Sequence, residues 1–129
     1  MYNGIGCCAI VYKEFPFNFF THNDKILVIE CKKGRGIILP GGKFEVKDKT
    51  FDITASRELE EETGVIGYKP KLFKHFMSTD GYYQYHFIFG GYDAQNMKET
   101  KEGNTFWIKI KDLLKEDNIF KQCFELIFN

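Results

Sequence analysis

Net charge is the first thing this chain lacks: eighteen basic residues balance eighteen acidic ones. No global field therefore draws it to nucleic acid or to a membrane surface, and binding a small anion requires a local arrangement. Long apolar runs are also missing, since none approaches the roughly 18 residues that cross a bilayer. The opening Met1-Tyr2-Asn3-Gly4 has neither the positive segment nor the apolar core of a signal peptide. The expectation is a soluble, cytoplasmic protein with no membrane partner. Cysteine is present only as Cys7, Cys8, Cys31 and Cys123, with no C-x-x-C pair, which argues against structural zinc. Adjacent Cys7 and Cys8 point to opposite faces of a strand and do not pair with each other; all four read as reduced thiols acting as small hydrophobes. His22, His75 and His86 show no metal-ligand spacing and read as structural or exposed.

What is present is an ordinary globular mixture, 43% hydrophobic and 28% charged in 129 residues, enough for one hydrophobic core. Ile5 to Tyr12 reads as a buried first strand. Glu14 to Asp24 is a loop holding Phe15, Phe17, Phe19 and Phe20, which caps the core, lines a pocket or forms a partner surface, with capping the first choice. Lys25 to Cys31 and Ile37 to Leu39 are short strands, the second stopped by Pro40-Gly41-Gly42. Thr50 to Thr63 is helical, with Thr50 as N-cap and Gly64 as C-terminal stop. Phe73 to Met77, Tyr83 to Tyr92 and Phe106 to Ile110 are strands, and Asp112 to Phe128 forms a closing helix. With no repeat or linker between them, these elements make a single mixed α/β domain over residues 1–129. Trp107 with Phe106 reads as core, or as a wall of a base pocket.

The helix carries the most information. At about 100° per residue, Arg57, Glu58, Glu61 and Glu62 fall within an arc of about 140°, while Glu60 points elsewhere. Glu58 neighbours both Glu61 and Glu62, and like charges at such spacings destabilise a helix by roughly 0.2–0.5 kcal/mol per pair. Acidic groups near the C-terminus also oppose the macrodipole. Two explanations compete: a solvated acidic face compensated by lysines, or hard carboxylate oxygens gathered for Mg²⁺ or Mn²⁺. The upstream Pro40-Gly41-Gly42 favours the second, because glycine lets a backbone carbonyl approach a metal unobstructed. Helix and loop together suggest a metal-diphosphate site.

These residues resemble the Nudix family signature G-x5-E-x7-R-E-U-x-E-E-x-G-U, with U an aliphatic residue. Gly42 matches the opening glycine, Arg57-Glu58-Leu59 match R-E-U, Glu61-Glu62 the paired glutamates and Gly64-Val65 the close. The approach Ile38-Leu39-Pro40-Gly41-Gly42-Lys43-Phe44-Glu45 is also similar to the family's. One position departs. The glutamate expected eight residues before the arginine is Lys49, whereas counting forward from Gly42 reaches Asp48, so the loop is one residue longer. Thr50 keeps its place at the helix start, which puts the extra residue before it. Asp48 is then expected to take over the glutamate's part, orienting the arginine and supporting the loop.

The resemblance implies a Nudix-type α/β/α sandwich, with a mixed sheet between helices, and hydrolysis of a nucleoside diphosphate linked to another group. It implies Glu58, Glu61 and Glu62 as ligands of Mg²⁺ or Mn²⁺, joined by the Gly41 carbonyl, with Arg57 bracing the box. The general base is Glu62 or Glu102. The compact length is similar to that of MutT-like members, which cut nucleoside triphosphates, oxidised ones included, to monophosphate and pyrophosphate. Tyr82 and Tyr83, 17 and 18 residues after Val65, fit a tyrosine rule of dinucleoside polyphosphate hydrolases and could stack on a base; packing at a strand start explains them equally well. Asp80 and Gly81 stand where many ADP-ribose pyrophosphatases have a proline, which counts against ADP-ribose. Arg35 could reach phosphate or stay in solvent. Capped RNA stays among the substrates to be screened, with other nucleic acid not expected, and the chain is expected to be a monomer or homodimer. Two rivals remain: a non-catalytic Nudix-fold module that holds a nucleotide, and a Ca²⁺-binding structural protein, for which no D-x-[DN]-x-[DN]-G loop appears.

Overall fold

The computed structural model describes residues 4–14 and 21–129; the four-phenylalanine loop lies outside the described residues. Two sheets form. One is mixed and four-stranded, in the order β4-β1-β6-β5, built from β1 (Gly4–Ile10), β4 (Gly41–Lys43), β5 (Ile66–Met77) and β6 (Tyr82–Asp93). Its β1–β6 pair is parallel, and β4 and β5 join antiparallel at the edges. The other is antiparallel, in the order β3-β2-β7, from β2 (Lys25–Cys31), β3 (Gly36–Ile38) and β7 (Gly103–Lys109). A bridge between Tyr12 and Ile26 ties the end of β1 to the start of β2.

Period-two alternation along β1 divides the core. Cys7, Ala9 and Val11 pack on one side with Ala55 and Leu59 of α1 (Phe51–Thr63). Ile10 and Tyr12 pack on the other with Phe124 and Ile127 of α3 (Lys121–Phe128). Helices thus cover both faces of a mixed sheet, as the resemblance implies, and Cys7 and Cys8 face opposite ways. The apolar run of β2 splits likewise: Ile26 and Val28 join the α3 side and Leu27 the α1 side. Trp107 sits in the α1-side cluster with its ring 5.3 Å from that of Tyr92, in agreement with the core reading.

Three expectations need correction. The strand expected to start at Phe73 begins at Ile66; its lysines and Pro70 hide it in the sequence, but β5 is an edge strand, where a missing N–H and solvated side chains are tolerated. Pro40-Gly41-Gly42 is more than a stop, because Gly41–Lys43 is itself a strand paired with Gly6–Cys8. The closing helix is broken into α2 (Ile110–Leu113) and α3. Between them Asn118 donates from Nδ2 to the Ile37 carbonyl at 2.8 Å and accepts from the Phe120 amide at 2.8 Å, bonds that compete with helix continuation. Thr50 does hold the N-cap position of α1, but its side chain makes no capping bond. Gly64 ends α1 in the left-handed conformation, φ 78°, donating to the Glu60 carbonyl at 2.9 Å.

Candidate active site

The site is built where β4 passes beside the acidic face of α1. Gly41 and Gly42 are needed there for space rather than for turning. A Cβ at Gly42 would fall 2.5 Å from the Glu58 carboxyl carbon, and one at Gly41 would fall 2.6 Å from the Cys7 carbonyl oxygen. Without side chains, the double glycine lets the backbone lie against the carboxylates. The Gly41 amide donates to Glu62 Oε1 at 2.8 Å, so Gly41 touches the carboxylate face through its N–H.

Arg57 organises the rest. Its Nε and Nη2 donate to the two oxygens of Asp48 at 2.9 Å each. Its Nη1 reaches Glu58 Oε1 at 3.1 Å and the Glu61 oxygens at 3.3 and 3.4 Å. Asp48 is 4% exposed and also accepts from Thr54 Oγ1 at 2.8 Å and from the Glu45 amide at 3.3 Å. Bonds from Arg57, foremost, and from Thr54 hold its carboxyl well below the usual carboxylate range, and the same pair raises Arg57 further above its ordinary value. The extra residue is absorbed next to it. Residues 46–48 make one 3₁₀ turn, and Lys49 follows with φ 70° and ψ −43°, bridged by a 2.8 Å bond from the Thr50 amide to the Asp48 carbonyl. That is a γ-turn of the rare positive-φ kind. It lets Asp48 face Arg57 while Thr50 keeps its place.

Charge crowding shows in the protonation of the glutamates. Burial, opposed by the Gly41 N–H and reinforced by Glu58, Glu102 and Glu61, pushes Glu62 up to about 8. Glu58 is raised as well, by burial above all, with Arg57 opposing and Glu61 and Glu102 adding repulsion. Glu102 is therefore part of this acidic neighbourhood, and its loop is tied to α1 by the Thr100 hydroxyl, which donates to the Glu62 carbonyl at 2.9 Å. Among the described residues no three carboxylate, imidazole or thiol groups are already drawn together at coordination spacing. Glu58 and Glu61 are turned onto Arg57 and Glu62 onto the Gly41 amide. The donor set still suits a hard divalent cation, since it consists of hard oxygens beside a side-chain-free cradle whose mutual repulsion a cation would relieve.

A cavity of about 350 Å³ opens beside this cluster, within the range of small-molecule sites. It is bordered by Gly41, Gly42 and Glu62, with the exposed Arg35 among its lining residues. Tyr82 lines it too. Tyr83 does not line it, because successive residues of a strand face opposite ways. Tyr83 lies on the α1 side of β6, its hydroxyl 2.9 Å from His75 Nδ1 and its ring 5.2 Å from Tyr85. The sequence reading missed Gln84 and His86, which continue the Tyr82 face of β6 into the cavity. Alternation counted from Tyr82 was the available signal.

A family model described as NUDIX domain matches residues 17–124. An uncharacterized Nudix hydrolase of Bacillus subtilis, YvcI, is 29% identical over 99 residues, which cover 70% of this chain and 62% of that protein. A MutT structure from work on Aliivibrio salmonicida and Vibrio cholerae superimposes with a TM-score of 0.70 at 20% identity, over 95% of this chain and 94% of its own. The NUDIX domain of Shewanella oneidensis NrtR, complexed with ADP ribose, does so with a TM-score of 0.68 at 16% identity, over 98% and 86%. Likeness at such identities speaks to fold.

Proposed function

The chain belongs to the Nudix family, and on that footing we propose that it is a hydrolase of nucleoside diphosphate-linked substrates, using Mg²⁺ or Mn²⁺ to cut a nucleoside triphosphate into monophosphate and pyrophosphate. Dinucleoside polyphosphates and other linked diphosphates are the alternative substrates of the same chemistry. The observation that carries the reading is the meeting of Glu58 and Glu62 with the Gly41-Gly42 strand, with Glu61 beside them on Arg57 and Arg57 locked by Asp48.

Each residue has a part. Glu58, Glu61 and Glu62, with the Gly41 carbonyl, would hold the cation, which when bound withdraws charge from the phosphoryl oxygens. Arg57 keeps the Glu58 and Glu61 carboxylates together against their repulsion, and Asp48 fixes its guanidinium plane through two parallel bonds. Arg35 at the cavity offers positive charge to the phosphate chain. Tyr82 offers a ring to the nucleoside. Glu62 borders the cavity, and its carboxylate, once ionised, is more basic than an ordinary glutamate, so it is one candidate to accept the proton of the attacking water; Glu102 is the other. Both act only if they come within hydrogen-bond reach of that water.

Hydrolysis is measured as phosphate freed from the products by an added phosphatase, over nucleoside triphosphates, dinucleoside polyphosphates, ADP-ribose, NADH and capped RNA, with Mg²⁺ or Mn²⁺. Cation-dependent release that falls at least about a hundredfold in Glu61→Gln is expected, the equivalent of roughly 2.7 kcal/mol of barrier. Tight nucleotide binding without release from any substrate would replace the enzyme with a nucleotide-holding module, the reading that the lengthened Asp48–Lys49 loop supports.

A further inference from the structure

His86 is a polar side chain without a polar partner. It is 3% exposed, and neither Nδ1 nor Nε2 meets a hydrogen-bond partner among the described residues. Buried polar groups are paired as a rule, and one left unpaired calls for an explanation. The ring is not loosely held, because Phe76 stacks on it at 5.3 Å and 11°. Its place supplies the explanation: it lines the cavity that Gly41, Gly42 and Glu62 border.

Its neighbours are chosen alike. Gln84 lines the same cavity one step along β6, paired in register with Gly6, as His86 is with Cys8. Gly6 leaves room for the Gln84 amide, whose oxygen and nitrogen would lie 3.0 and 3.2 Å from a Cβ there. Cys8 Sγ lies 3.8 Å from Gln84 Oε1. Phe124 and Ile127 of α3 add apolar wall. Burial holds His86 down at about 4, so the ring is neutral at physiological pH and presents one N–H donor and one bare acceptor nitrogen. A neutral donor and acceptor framed by aromatic and aliphatic side chains suit an uncharged heteroaromatic ring better than a phosphate or a second sugar.

We propose that His86, with Gln84 beside it, reads the hydrogen-bonding edge of the substrate's nucleobase and makes the cavity select bases that carry both a donor and an acceptor on that edge. This rests on the reading of the chain as a nucleotide hydrolase and deepens it by naming the group that sets base specificity. A site built around unpaired polar groups rejects an analogue that cannot pair with them, because those groups stay unsatisfied in the complex.

The test separates base reading from turnover. Binding of GMP, AMP and the monophosphate of unsubstituted purine riboside is measured by calorimetry in chelator. The wild-type chain is expected to hold the better of the first two at least tenfold more tightly than the third, which lacks a donor on its edge. His86→Phe, which keeps the stack on Phe76, is expected to erase most of that preference without lowering Tm. The ¹⁵N resonances of the His86 ring are expected to shift on nucleotide binding, a readout that needs no variant. Equal binding of all three by the wild-type chain, a preference that survives His86→Phe, or ring resonances unmoved at saturation would overturn the proposal. Pyrophosphate release without base discrimination sinks this inference and leaves the hydrolase reading. Discrimination without release does the reverse.

Discussion

Asp48 and Arg57 meet side-on, Nε to Oδ1 and Nη2 to Oδ2, both at 2.9 Å. The aspartate stands where the chain has one residue too many, and it reaches the arginine because Lys49 takes the excess in a strained turn. A carboxylate one methylene shorter than the family's glutamate thus meets the guanidinium from a rerouted loop.

Asp48→Ala is expected to lower turnover by about 10–100-fold, the range for groups that orient metal ligands, and to lower Tm. The stability effect should depend on pH with a definite sign. The folded pKa of Asp48 lies below its ordinary value, so the bond contributes fully above about pH 4 and is lost as pH falls below that. Urea midpoints of wild type and Asp48→Asn should differ at pH 7 and converge towards pH 2. An unchanged midpoint at pH 7 would remove the pair from the account of stability.

Lys49→Gly should stabilise. A non-glycine residue at φ 70° stores about 1–3 kcal/mol of strain, partly offset by the greater freedom of glycine in the unfolded chain. A rise in Tm of a few degrees with turnover retained is the expected outcome, read by calorimetry; a fall would mean that the lysine side chain matters more than its backbone.

The two glycines of β4 should fail differently. A Cβ at Gly42 meets the end of a flexible side chain, Glu58, whereas one at Gly41 meets the backbone of Cys7. Gly42→Ala should therefore keep most of its stability and lose turnover as Glu58 is pushed aside, and Gly41→Ala should lose both. Circular-dichroism melts beside a pyrophosphate assay distinguish the two.

Glu62 gives the opposite pH sign to Asp48. Its folded pKa is raised to about 8, so without cation the ionised form disfavours the folded state increasingly as pH rises from about 4 to 8. Glu62→Gln in chelator should raise Tm at pH 8 and change it little at pH 4. An equal gain at both values would point to packing.

Much of this site was legible because helical spacing is a strong constraint. Once Arg57, Glu58, Glu61 and Glu62 share an arc and Gly64 stops the helix, their convergence follows. Counting forward from Gly42 reached Asp48, although the turn that makes it work is invisible in the letters. What stayed hidden depended on partners distant in sequence. Gly41–Lys43 has no intrinsic strand preference and is a strand because β1 pairs with it. The lysine-rich start of β5 is an edge held by β6. Asn118 interrupts the last helix by bonding to Ile37, 81 positions away. Tyr82 and Tyr83 are indistinguishable until the register of β6 shows which one faces the cavity.

Mn²⁺ binding, followed by electron paramagnetic resonance with a non-hydrolysable nucleoside triphosphate present, reaches the centre of the matter. The wild-type chain should bind the ion, and Glu58→Gln and Glu61→Gln should each weaken binding by about tenfold or more, as loss of a ligand demands. Equal Mn²⁺ affinity in wild type and both variants, or no binding even with nucleotide, would contradict a site made by these carboxylates.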